Sequence, residues 1–228
     1  MRVLAKTLMS YAIGLAIGLA LVLPTPLSAV TFHGYSTADE STGSGFTGVA
    51  SFRIDRAVQG LPNNGCSAYF DGNPVYQTQW VILTDDALNW HELGTGHQCG
   101  DQVRFWYAGY GLNGAFHNLW SQANPPNGSS HTFRITRVNS NTTQFWVSGV
   151  VKASLTTTAT GGLVQAGLES YYQTAFVQDY VMSSLQYQKN GGAATSWSGR
   201  DGTLVNAPLC GRWISDTSRE VGQGAGQC

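Results

Sequence analysis

The chain has 228 residues, 42% of them hydrophobic and only 11% charged, with 12 Lys and Arg against 13 Asp and Glu and a formal net charge of -1. No cluster of basic residues occurs, which argues against nucleic acid and anionic membranes as partners, because both need a concentrated positive face. A surface that is polar through Gly, Ser, Thr, Asn and Gln, yet nearly uncharged, suits an exported protein that meets neutral polymers.

In chain order, residues 1–29 carry Arg2 and Lys6, an apolar stretch ending near Leu23, then Pro24, Pro26 and Leu27-Ser28-Ala29. This segment is short for a membrane span and is broken by proline before a small-residue cleavage site, so it reads as a secretory signal peptide. Residues 30–228 are then expected to form one secreted, soluble and monomeric domain. Four cysteines, Cys66, Cys99, Cys210 and Cys228, favour two disulfides in an exported chain. Three pairings are open; Cys66 with Cys99 and Cys210 with Cys228 is preferred, the second tethering a tail that begins near residue 190. A metal centre built from Cys99, His91 and His97 lacks zinc-ligand spacing, so neither metal nor other cofactor is expected.

Short strand-like runs separated by Gly, Asn, Pro and Ser clusters follow, without a helical period, which predicts an all-β, antiparallel sandwich or jelly roll. In residues 46–54, Phe46, Phe52 and Ile54 share one parity and Thr47, Ser51 and Arg53 the other. Residues 77–83 become continuously apolar, as expected near a sheet centre, and Asp85-Asp86 marks a turn. Residues 103–110 are aromatic on both faces, with Phe105 and Tyr107 opposing Trp106 and Tyr110. Phe133 pairs in parity with Ile135, and a single strand over 144–155 aligns Phe145, Val147, Val151 and Leu155, with Asn139-Ser-Asn-Thr as the hairpin turn between the two runs. Segments 163–172, 174–179 and 181–187 complete the series. Beyond Lys189 a looser tail is expected.

Only four glutamates occur, and Glu92 and Glu169 lie inside strand-like runs. Glutamate suits strands poorly and is seldom buried unpaired, so these two are the leading chemical candidates. Parity sets Val164, Ala166 and Leu168 against Gln165, Gly167, Glu169 and Tyr171, turning Glu169 away from the core. Trp90 and Glu92 also share a face, with Gly94-Thr-Gly-His read as a loop behind them and the histidines as loop residues. Glu169 and Glu92 are therefore the candidate catalytic pair, and Gln165, Tyr171, Trp90 and Trp106 the candidate substrate contacts. Two coupled carboxylates separate their pKa values into an acid and a base. A purely structural role, pairing with Arg104, Arg134 or Arg137, is the plain alternative.

Phe-Thr-Gly-Val-Ala-Ser-Phe at 46–52, Gln-Trp-Val-Ile-Leu at 79–83, Leu-Gly-Thr-Gly at 93–96, Arg-Phe-Trp-Tyr at 104–107 and Ala-Gly-Leu-Glu-Ser at 166–170 together resemble the eqolisins. These are glutamic peptidases with a concanavalin-like sandwich and a Gln/Glu dyad. The resemblance implies that Glu169 activates water and that Glu92 stands where the family has glutamine. The two-glutamate pair is also similar to that of neprosin-type glutamic peptidases. Either way, the partner would be an extracellular polypeptide.

Two other readings concern neutral polysaccharide. Two carboxylates across a groove would suit a glycoside hydrolase, whose carboxyl separation sets its stereochemistry. A lectin-like module would instead stack sugars on Trp106, Trp120, Trp146 and Trp197. No Gly-x-Ser-x-Gly elbow supports a serine hydrolase.

Overall fold

The computed structural model describes residues 32–37, 45–54, 69–70, 73–84, 88–98, 104–123, 130–156, 161–170, 177–197, 204–205 and 209–223. Residues 1–29, Asp85-Asp86, Tyr171, Cys66, Cys99 and Cys228 lie outside them, as do the side chains of Glu169 and Cys210. Among the described residues no helix is long and apolar enough to cross a membrane.

Sixteen strands are described: β1 (Phe32–Thr37), β2 (Phe46–Ile54), β3 (Tyr69–Phe70), β4 (Asn73–Thr84), β5 (Trp90–Gln98), β6 (Arg104–Leu112), β7 (Ala115–Ala123) and β8 (Ser130–Asn139), then β9 (Thr142–Val147), β10 (Val150–Thr156), β11 (Leu163–Ser170), β12 (Val177–Lys189), β13 (Thr195–Ser196), β14 (Leu204–Val205), β15 (Leu209–Ser215) and β16 (Ser218–Gln223). They form two antiparallel sheets. The first runs β14-β1-β11-β4-β5-β6-β7, with β3 on β4; the second runs β10-β9-β8-β2-β12-β16-β15, with β13 on β12. This is the antiparallel β-sandwich that the alternating strands imply.

The apolar core lies between the sheets. Val81, Leu83, Leu93, Trp106, Ala108, Val164 and Ala166 enter it from the first sheet, and Val49, Phe133, Ile135, Phe145, Val147, Met182 and Leu185 from the second. Strand β4 is central, and its run Trp80-Val-Ile-Leu is buried on both faces, which explains the loss of alternation there.

Four expectations about the elements are corrected. A register shift between Gln188 and Lys189, opposite Gly48 and Phe46, reverses the parity of β2, so Phe46 and Val49 both enter the core and Ser51 follows Val49 inward. The run 144–155 is a hairpin of β9 and β10, because Ser148 and Gly149 take φ of 48° and 80° and close a tight turn. Val151 is accordingly exposed. Residues 177–179 of the first segment and 181–187 belong to one strand, β12, in which Ser184 has a φ of 52° where the register with β2 shifts, while residues 174–176 lie outside the described residues. Finally, the tail carries a hairpin, β15 and β16, paired to β12 at the second sheet.

Candidate functional site

The outer face of the first sheet, turned away from the core, carries Glu92. Direct cross-strand partners share a face, so the register defines three rows. Gln165, Ile82, Glu92 and Gly109 form one; Gly167, Trp80, Gly94 and Tyr107 the next; positions 169, 78, 96 and 105 the third. Positions 92 and 169 are thus on the same side of the pleat. They are two strand spacings apart laterally and four residues apart along the strands, about 16 Å between Cα atoms on a flat sheet. Gln165 lies in the row of Glu92 itself, about 10 Å away across Ile82.

Glu92 is 8% exposed, and both carboxylate oxygens accept hydrogen bonds. Trp90 donates its Nε1–H to Oε2 at 2.9 Å, which the two-residue strand period makes possible. The Tyr107 hydroxyl donates to Oε1. Two charge-assisted bonds from rigid aromatic groups fix the carboxylate toward β6, the side away from β4 and β11. Tyr107 is the hydrogen-bond partner of Glu92 that the sequence does not reveal, since its contact depends on the register between two strands, the bonded residues lying 15 positions apart.

The surrounding floor explains the glycines. A Cβ at Gly111 would collide with the Trp90 ring, at Gly109 with the Phe116 ring, and at Gly96 with the Phe105 ring. At Gly94 it would meet the Gln79 carbonyl oxygen and the Tyr107 side chain. Aromatic rings lie over cross-strand glycines, burying backbone that would otherwise face solvent. The segment expected to be a Gly94-Thr-Gly-His loop is therefore strand, and His91 and His97 belong to β5 rather than to a loop. Phe105, Tyr107 and Phe116 form a second apolar cluster distinct from the inter-sheet core.

Of the other candidates, Gln165 and Trp90 are half-buried on the Glu92 face. Trp106 is not with them: it is 6% exposed on the core side, edge-on to His131 at 4.5 Å and Phe133 at 6.2 Å. Trp197 is 1% exposed in the core, Trp120 packs against that core, and Trp146 lies under Arg134 on the other sheet. Trp106 and Trp197 thus present no ring to a ligand at the surface. His91 is buried on the core face, and burial together with the nearby Arg137 charge lowers its pKa to about 4. Among the described residues no group of three or more His, Cys, Asp or Glu side chains is arranged to hold a metal ion.

No family model matches the chain, and no curated protein matches it. Solved structures do. The chain is similar to scytalido-glutamic peptidase with a peptide-based transition-state analogue, at 12% identity and a TM-score of 0.58, over 86% of this chain and 99% of that one. A second structure of that peptidase, with a transition-state analogue inhibitor, gives 0.57 at the same identity and coverage. SCP-B, a member of the eqolisin family of peptidases in complex with the tripeptide Ala-Ile-His, gives 0.55 at 12% identity over 86% and 99%. The fold is that of the eqolisin peptidases, as the five sequence segments suggested.

Proposed function

We propose that the chain is a secreted hydrolase of glutamic-peptidase type, working on an extracellular polypeptide at the outer face of the first sheet. The observation that carries this reading is Glu92 itself: a nearly buried carboxylate, held by Trp90 and Tyr107 on the outer face of an eqolisin-like fold, whose cross-strand row also contains Gln165 two strands away. Glu92 would accept a proton from the attacking water and Gln165 would donate to the oxyanion. Glu169, at a backbone position on the same side of the pleat, is the rival carboxylate for the base role, at a longer backbone distance from Glu92 than Gln165.

The test is cleavage of a denatured protein between pH 3 and 7 by wild type, Glu92→Gln, Glu169→Gln and Gln165→Ala. Loss of about a hundredfold or more is expected for Glu92→Gln. Full activity in that variant, with loss in Glu169→Gln, would move the base to Glu169. Absence of turnover in the wild type across that range refutes the hydrolase.

One observation favours a second reading, a carbohydrate-binding module. The half-buried Trp90 ring lies over Gly111 beside the Glu92 carboxylate, the pairing of a stacking platform with an acceptor for sugar hydroxyls. Binding of neutral glycans without turnover, lost in Trp90→Ala, would establish it.

A further inference from the structure

The outer face of the second sheet holds another constellation. Trp146, Arg134, Ala50 and Gln186 form one cross-strand row over β9, β8, β2 and β12, and Gln144, Thr136, Gly48 and Gln188 form the next. The two smallest members, Ala50 and Gly48, are both on β2. Ala50 floors a trough about two strand spacings, or 10 Å, across, with Arg134 on one wall and Gln186 on the other, while the Gln188 side chain lies over Gly48 and donates its Nε2–H to the Gly192 carbonyl at 3.2 Å. A cavity of about 90 Å³ occupies it, lined among others by Gly48, Ala50, Arg134, Gln186 and Gln188.

Among the described residues Arg134 is the only charged group lining this cavity. Its guanidinium lies 4.2 Å from the Trp146 ring centroid, which fixes the plane of the fork. Among the described residues it makes no ion pair, and its Nε, like Thr136 Oγ1, is buried without a hydrogen-bond partner. A site with one oriented cation and neutral amides around it is complementary to a carboxylate that carries hydroxyls. A peptide is the poorer fit. β2 is hydrogen-bonded on both sides, to β8 and β12, so strand addition cannot satisfy a peptide backbone there.

We propose that this trough is a binding site for an acidic polysaccharide, in which Arg134 holds the carboxylate of a hexuronate unit and Gln186 and Gln188 contact its hydroxyls. It is separate from the Glu92 face and independent of the reaction proposed there.

Calorimetric titration with oligogalacturonate, with its methyl ester, and with a carboxylate-terminated peptide provides the test. The acid oligomer is expected to bind, more weakly at high salt, while the ester and the peptide bind at least about tenfold more weakly. Arg134→Gln should reduce affinity by about tenfold to a hundredfold, whereas Glu92→Gln should leave it unchanged. Ala50→Leu, which fills the floor while keeping Arg134, should abolish binding even if Arg134→Gln fails to fold. Equal affinity for acid and ester, equal affinity for the peptide, no binding of the acid oligomer, or undiminished binding in Ala50→Leu would each overturn the assignment.

Discussion

Two buried side chains on adjacent positions of β5 face opposite ways and carry opposite consequences. Glu92, on the outer face, depends on its donors. Tyr107→Phe removes one of two hydrogen bonds to a nearly buried carboxylate and should cost about 1–3 kcal/mol, read from urea denaturation. His91, on the core face, has its folded pKa lowered from 6.5 to about 4. Between those values the unfolded chain binds a proton that the folded chain refuses, so stability is full above pH 6.5 and falls as pH drops toward 4. At 1.36 kcal/mol per unit the loss is about 3 kcal/mol. His91→Leu should remove that much of the difference in unfolding free energy between pH 7 and pH 4; an unchanged pH dependence would contradict the assignment. The same histidine bears on function, because an enzyme working in acid would operate where this group opposes folding.

At the scale of the strand, the glycines of β5 and β6 are the elements most sensitive to change, and not equally so. At Gly94 an added methyl meets the main-chain carbonyl of Gln79, which cannot swing aside, so Gly94→Ala should cost about 3 kcal/mol or more. At Gly111 the three nearest atoms it meets all belong to the Trp90 ring, which is half-exposed and can rotate away, so Gly111→Ala should cost about 1 kcal/mol. The second change should nevertheless break the Trp90–Glu92 hydrogen bond and shift tryptophan emission, a contrast that paired melting and fluorescence curves would reveal. What the sequence makes legible follows the same division. Phe133 and Ile135, or Val164 and Ala166, are readable because their strands keep an unbroken two-residue period against a uniform apolar neighbour. The pairing of Trp90 with Glu92 is readable for that reason too. Parity fails wherever one residue is inserted or a turn intervenes, as opposite Gly48, at Ser184 and at Ser148-Gly149, where local backbone decides and hydrophobicity is silent. Glycines over which rings lie look like loop residues, because their burial comes from side chains on another strand. Tyr107 and the row shared by Gln165 and Glu92 are set by register alone.

At the scale of the molecule, the order in which strands enter the sheets makes the two layers interdependent. β1 lies between β11 and β14, and β2 between β8 and β12, so neither sheet is complete until chain segments more than a hundred residues apart have met. Loop-closure entropy must be overcome before these pairings reward it, which predicts refolding in milliseconds to seconds rather than microseconds. It also predicts a single cooperative transition, since the inter-sheet core is shared by both layers. Trp197 tests this directly, as it is 1% exposed in that core and its backbone N–H bonds the Leu185 carbonyl of β12 at 3.0 Å. Trp197→Ala should cost about 3–5 kcal/mol. Far-ultraviolet circular dichroism, which reports both sheets, and tryptophan fluorescence should shift to the same new midpoint. Two separated transitions in the variant would mean that the first sheet, with its Glu92 face, persists when the second has melted, and the interdependence argued from strand order would be wrong.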